Sequence, residues 1–212
     1  MADFKTAYTR FIQPFEGGYV NHPNDKGGET YAGIARRKFP QWDGWRAIDH
    51  YKDAQASVGK EIARNTIFPE LQEKVDSWYE ARWNAYRLSE IKNQNLASLL
   101  YDYIIHSGST KAITAIQKIV GTHADGIIGD NTINAINANN PQKVFTRLLD
   151  ERAKFLKYLI VNDPTQKVFE NGWNNRIATF RKLVPSSNGS SPVIAGGLIA
   201  AIGIIILINS TT

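Results

Sequence analysis

The chain has no cysteine in its 212 residues. A disulfide framework, a catalytic thiol and a thiolate metal site are therefore excluded, although the absence does not fix a compartment. The four histidines, at 22, 50, 106 and 123, lie far apart and never in His-Glu-x-x-His spacing, so a zinc hydrolase has no ligand set. Neither the Gly-x-x-x-x-Gly-Lys-Ser/Thr phosphate loop nor a Gly-x-Ser-x-Gly nucleophile elbow occurs; Ser107-Gly108-Ser109 does not fit the latter. No metal and no cofactor is expected. Lys+Arg 25 against Asp+Glu 20 gives +5, but the basic residues are scattered and interleaved with acids, so nucleic acid is not an expected partner.

Charge is missing altogether after Lys182. Residues 183 to 192 have the Pro, Ser, Asn and Gly composition of a linker. Val193 to Ile208 contains only Val, Ile, Ala, Gly and Leu. As a helix, that run is about 24 Å long. This is slightly short of a hydrocarbon core of roughly 30 Å, and Ser191 to Ser210 nearly closes the gap. A transmembrane helix over 193–208, in contact with a lipid bilayer, is expected in preference to a buried core helix. Gly196, Ala200 and Gly203 share one helical face, so tail self-association is a further expectation. Arg181 and Lys182 precede the segment and no charge follows, which places the body on the cytoplasmic side. No apolar signal region follows the N-terminus.

The body reads as mainly α. Phe4, Tyr8, Phe11 and Phe15 are spaced by four, three and four, as on an amphipathic helix. Pro14 falls inside that helix and is expected to kink or end it. Glu16 follows at the helix end, with Gly17 and Gly18 leaving room for a polymer to approach. From Tyr19 to Gly33 a polar stretch rich in Gly, Asn and Asp predicts a small hairpin or loop excursion. Helices resume from Trp45, with Ser109 as an expected N-cap and Pro141 in the first turn of a long helix.

Carboxylate chemistry is what the residue types leave open. A partly buried Glu16 would have its charged form disfavoured and its pKa raised toward that of a general acid. Asp25 and Glu29, in the excursion, could fold back beside it, and two carboxyl groups flanking a bond is the requirement for glycoside cleavage. On spacing alone, the alternative that Glu16 caps a helix while Asp25 and Glu29 shape a turn stays open.

Three blocks carry a resemblance. The first is Glu16-Gly17-Gly18-Tyr19-Val20-Asn21 with Pro23-Asn24-Asp25-Lys26-Gly27-Gly28-Glu29-Thr30 and Gly33-Ile34. The second joins Asp102, His106-Ser107-Gly108 and Ala115-Ile116-Gln117 to Asp125-Gly126-Ile127-Ile128-Gly129 and Thr132. The third is Phe169-Glu170-Asn171-Gly172-Trp173-Asn174-Asn175-Arg176. Together they closely resemble the glycoside hydrolase 108 family of bacterial and phage N-acetylmuramidases, with its companion peptidoglycan-binding region. The resemblance implies a lysozyme-like helical fold and hydrolysis of the β-1,4 bond between N-acetylmuramic acid and N-acetylglucosamine. Glu16 takes the place of that family's essential catalytic glutamate. A looser similarity to phage lysozymes of the T4 type implies Asp25 as its partner, with Glu29 as rival and Thr30 orienting a water molecule. Tyr19, Tyr31 and Asp102 are the expected substrate-binding residues.

The expected organisation is a catalytic region over 1–92, a peptidoglycan-binding-like region over 93–183, a linker over 184–192 and the membrane helix over 193–208. Peptidoglycan glycan strands are the expected partner. The expected location is a bacterial inner membrane or the internal membrane of a lipid-containing phage. A lytic transglycosylase and a non-catalytic wall anchor are the alternatives in function, along with a holin-type membrane permeabiliser.

Overall fold

The structure, a computed structural model, describes residues 1–21 and 28–184. Eight α-helices and one small antiparallel sheet make up most of that chain, in the order α1 (Phe4–Ala7), β1 (Tyr19–Val20), β2 (Thr30–Tyr31), β3 (Ile34–Ala35), α2 (Gly44–Ala56), α3 (Gln72–Ala85), α4 (Gln94–Ser107), α5 (Ser109–Val120), α6 (Asp130–Ala138), α7 (Pro141–Asn162) and α8 (Glu170–Arg181). The mainly helical expectation and the small excursion after residue 19 hold. The membrane-spanning part of the expected fold does not. No helix among the described residues is long and apolar enough to cross a membrane. Residues 193–208, where that helix was placed, lie outside the described residues, as does the linker beyond Val184. The lipid contact and self-association expected of that segment therefore have no support in the structure.

The middle of the fold is α4. Every residue from Leu96 to Ser107 is buried, so a helix apolar on nearly all sides is enclosed by α1, α5 and α7. Asn93 starts it by accepting a hydrogen bond from the Leu96 amide at 2.9 Å. α7 begins as expected at Pro141, whose missing N–H costs nothing in a first turn, and Asn140 caps it from the Lys143 amide at 3.0 Å. Ser109 is not the N-cap of α5. Gly108 holds that position at φ 93°, a conformation open to a residue without Cβ, and Ser109 is the first helical residue. One cluster of buried apolar side chains runs from Ala2 to Phe180 and joins the N-terminal and C-terminal helices in a single core.

Two local features place the site. The helical run ends one residue after Pro14, as expected of a proline there. Before that end α1 widens into a π-helical turn over Tyr8–Ile12 and tightens into a 3₁₀ turn over Gln13–Phe15. The wide turn pairs the Gln13 amide with the Tyr8 carbonyl, and the tight turn accepts Pro14, which has no N–H to offer. The second feature is the β2–β3 hairpin, in which Tyr31 opposes Ile34 across two residues. Both turn residues have positive φ, Ala32 at 43° and Gly33 at 76°. That is the backbone of a type I′ turn, whose twist matches the flanking strands.

Candidate active site

Glu16 is the first residue after the 3₁₀ turn. Its backbone is extended at φ −77° and ψ 127°, and its amide closes the turn on the Gln13 carbonyl at 3.1 Å. The residue as a whole is partly exposed, yet neither carboxyl oxygen has solvent contact or a hydrogen-bond partner. Loss of water disfavours the charged form and pushes the carboxyl up to about 8, against opposing pulls from Arg176 and Tyr79. A carboxylic acid that keeps its proton at neutral pH is the result.

The hairpin turn lies against this group. A Cβ on Gly33 would stand 2.0 Å from Glu16 Oε2 and 2.6 Å from the Tyr79 hydroxyl, so both the space and the positive φ require glycine. Tyr79, from α3, is fully buried and donates its proton to the Ala32 carbonyl at 2.9 Å. That bond ties α3 to the hairpin. Gly18 has an internal reason of its own. A Cβ there would meet the Thr66 and Asn65 carbonyls at 2.4 and 2.5 Å, because Tyr19 exchanges backbone hydrogen bonds with that loop. Gly18 thus fits the chain to its own neighbours.

Behind Glu16 is a buried charge cluster. Asp102 of α4, with no exposure, pairs through Oδ1 with Arg176 Nε of α8 at 2.5 Å and through Oδ2 with Arg152 of α7. Arg176 also lies over the Phe15 ring at 4.7 Å, next to the turn that leads into Glu16. One carboxylate faces two guanidinium groups, and three of their nitrogens (Nε and one terminal nitrogen of Arg152, one terminal nitrogen of Arg176) are buried without a partner. Burial lowers the Arg176 pKa to about 10, partly offset by the attraction of Glu16. His106 shares this interior, its ring edge-on to Trp173 at 6.0 Å, and burial followed by the Arg176 charge pushes it down to about 3. It is therefore neutral at any pH near 7.

The other expected site residues are placed as follows. Glu29 is bound on all sides: Arg36 Nε at 2.5 Å, Lys52 Nζ at 2.9 Å and the Tyr19 hydroxyl at 2.8 Å. Thr30 is buried in β2 and donates to the Gly28 carbonyl at 3.1 Å. The Tyr31 hydroxyl is engaged with the backbone of Phe68 in both directions, and its ring stacks 6.1 Å from Trp42. Asp25 lies outside the described residues. Asp102, expected to touch substrate, is enclosed in the ion cluster and has no open face. Sequence reasoning missed Tyr79, Arg152 and the charge of Arg176 beside Glu16. Only Arg176 lay within a motif, and nothing in its spacing pointed to a residue 160 positions upstream.

Residues 9–108 match the family model for glycosyl hydrolase 108, and residues 111–178 match that for a predicted peptidoglycan domain. Among solved structures, SagA of Brucella abortus is similar at 26% identity, covering 85% of this chain and 92% of that one, with a TM-score of 0.61. No curated protein matches the chain. A match to glycosyl hydrolase 108 followed by a match to a predicted peptidoglycan domain supports a glycoside hydrolase that acts on peptidoglycan.

Proposed function

We propose that the protein is an N-acetylmuramidase that hydrolyses the β-1,4 bond between N-acetylmuramic acid and N-acetylglucosamine, with Glu16 as general acid. The observation that carries this reading is the Glu16 carboxyl: buried, free of hydrogen-bond partners and protonated up to about pH 8. Such a group gives its proton to the glycosidic oxygen as the bond to the anomeric carbon lengthens, and the sugar develops positive charge. Donation leaves a carboxylate next to Arg176, whose charge steadies the ionised state once it has formed. Asp25 is the proposed partner that activates water or stabilises the oxocarbenium charge. Glu29 is less suited to that role, since Arg36, Lys52 and Tyr19 already occupy its oxygens. Its work is to hold the hairpin that positions Gly33.

A lytic transglycosylase is the second reading, favoured by Glu16 as the one unpaired buried carboxyl among the described residues. The products separate the two: hydrolysis gives a reducing end heavier by one water than the 1,6-anhydro end. In a cell-wall gel, Glu16→Gln should abolish clearing while the protein stays folded. Clearing at the wild-type rate would refute the role of Glu16.

A further inference from the structure

A groove of about 1120 Å³ opens between α3, the α4–α5 turn, α5 and α7, and Glu16 is not among the residues that line it. Its charge is one-sided. Arg82, Lys111, Lys118 and Lys154 line it against a single acid, Glu151, which Lys154 already holds at 2.9 Å. Among the described residues, no carboxylate pairs with Lys111 or Lys118.

Three of the aromatic rings in this groove, Trp78, Phe39 and Phe155, are covered by cations and are not free platforms for sugar rings, while Tyr158 stays exposed. The Arg82 guanidinium lies 3.2 Å from the centre of the Trp78 ring and 4.5 Å from that of Phe39. The Lys111 ammonium stands 5.1 Å from the Phe155 ring. Rings covered by cations hold those cations in place by attraction to the π-face. They present positive charge to an occupant and do not stack with it. A neutral glycan gains little from such a surface, whereas a ligand carrying several carboxylates meets complementary charge along its length.

We propose that this groove binds the carboxylate-bearing stem peptide of peptidoglycan while Glu16 acts on the glycan. The inference rests on the muramidase reading and adds a second contact to it. The groove draws its walls from both matched regions, Trp78 and Arg82 from the glycosyl hydrolase region and α5 and α7 from the predicted peptidoglycan region. Substrate bearing peptides would thus be held by both parts at once.

The test uses the full chain with Glu16→Gln, to block turnover. Binding of a disaccharide-tetrapeptide is compared with binding of the peptide-free disaccharide and of a polyol-phosphate wall polymer. The expected result is binding of the peptide form about tenfold or more tighter than the bare disaccharide, falling to parity when Lys111→Glu and Lys154→Glu are combined. Both lysines are exposed, so the reversals leave the core intact. With Glu16 restored, the double reversal should leave cleavage of peptide-free glycan strands unchanged. Equal affinity for the two disaccharides, a preference that survives charge reversal, or tighter binding of the polyol phosphate would overturn the proposal. Persistent wall clearing by Glu16→Gln would instead overturn the muramidase reading.

Discussion

Replacing Glu16 by Gln should stabilise the fold, and the gain should grow with pH. The Glu16 carboxyl is raised from 4.5 to about 8 by burial. Its folded-state pKa is above the unfolded value, so its contribution is fully present below about pH 4.5 and is lost as pH rises toward 8. Between those values the folded chain holds a proton that the unfolded chain releases, and stability falls by about 1.4 kcal/mol per pH unit. Across the whole window the loss is about 5 kcal/mol, of which roughly 3 kcal/mol falls between pH 5 and 7.5. Solvent screening does not reduce this, because neither oxygen has contact with water. Glutamine keeps the shape and has no proton to lose. His106 adds a second pH dependence: lowered to about 3 by burial, it contributes stability that is lost as pH falls from 6.5 toward that value. That term is common to both proteins and cancels in their difference. Urea unfolding of wild type and Glu16→Gln at pH 5, 6, 7 and 8 should show the variant's advantage widening at each step. The matching change in the Tm difference is about 10 °C between pH 5 and 7.5. A difference that stays flat over this range would mean that Glu16 ionises normally, and the general-acid argument would fail with it.

Four other outcomes follow from the same geometry. Activity of the wild type should hold up to about pH 8 and then decline, and Arg176→Met should move that decline to higher pH by removing the charge that favours ionised Glu16; a kcat–pH profile with an unmoved alkaline limb would refute the coupling. Asp102→Asn should cost about 3–5 kcal/mol in denaturant unfolding, since it leaves two buried guanidinium groups without their counter-charge; a near-neutral result would show that the cluster is solvated. Gly33→Ala should lower stability by at least about 1–2 kcal/mol from the left-handed backbone alone, and should reduce wall clearing further by displacing Glu16 Oε2, checked by comparing activity at equal folded fraction. Glu29→Gln should cost about 1–3 kcal/mol of stability and keep the rate within roughly tenfold, whereas Asp25→Asn should lose about 100-fold or more; the reverse order would assign the second catalytic role to Glu29.

What the sequence made legible was local. Glu16 could be read because a helical period, a proline and two glycines all converge within six residues. Pro14 was correctly seen as a disturbance, but its resolution as a π turn followed by a 3₁₀ turn depends on packing beneath the helix and leaves no periodic signal. The tyrosines of the hairpin looked like saccharide contacts because a polar excursion with aromatic residues suits either role. Only the fold reveals that the Tyr31 hydroxyl bonds to Phe68 and that of Tyr19 to Glu29. Gly18 looked like clearance for a ligand, and the structure adds the Asn65–Thr66 backbone as its neighbour.

The charge cluster was illegible for a stronger reason. Charged residues in a basic, interleaved sequence read as surface, and burial reverses that assumption only when partners from distant segments meet. Asp102 lies 50 residues from Arg152 and 74 from Arg176. The consequence reaches the reaction itself. Glu16 stands in the glycosyl hydrolase region, but the cation that moderates its proton affinity comes from α8, within the predicted peptidoglycan region. Desolvation alone would hold the Glu16 proton too tightly to give it up at neutral pH. Arg176 offsets part of that. On the proposed muramidase reading, the acid at the hairpin is thus moderated by a cation from α8, and the second matched region contributes to that chemistry as well as to the proposed binding surface.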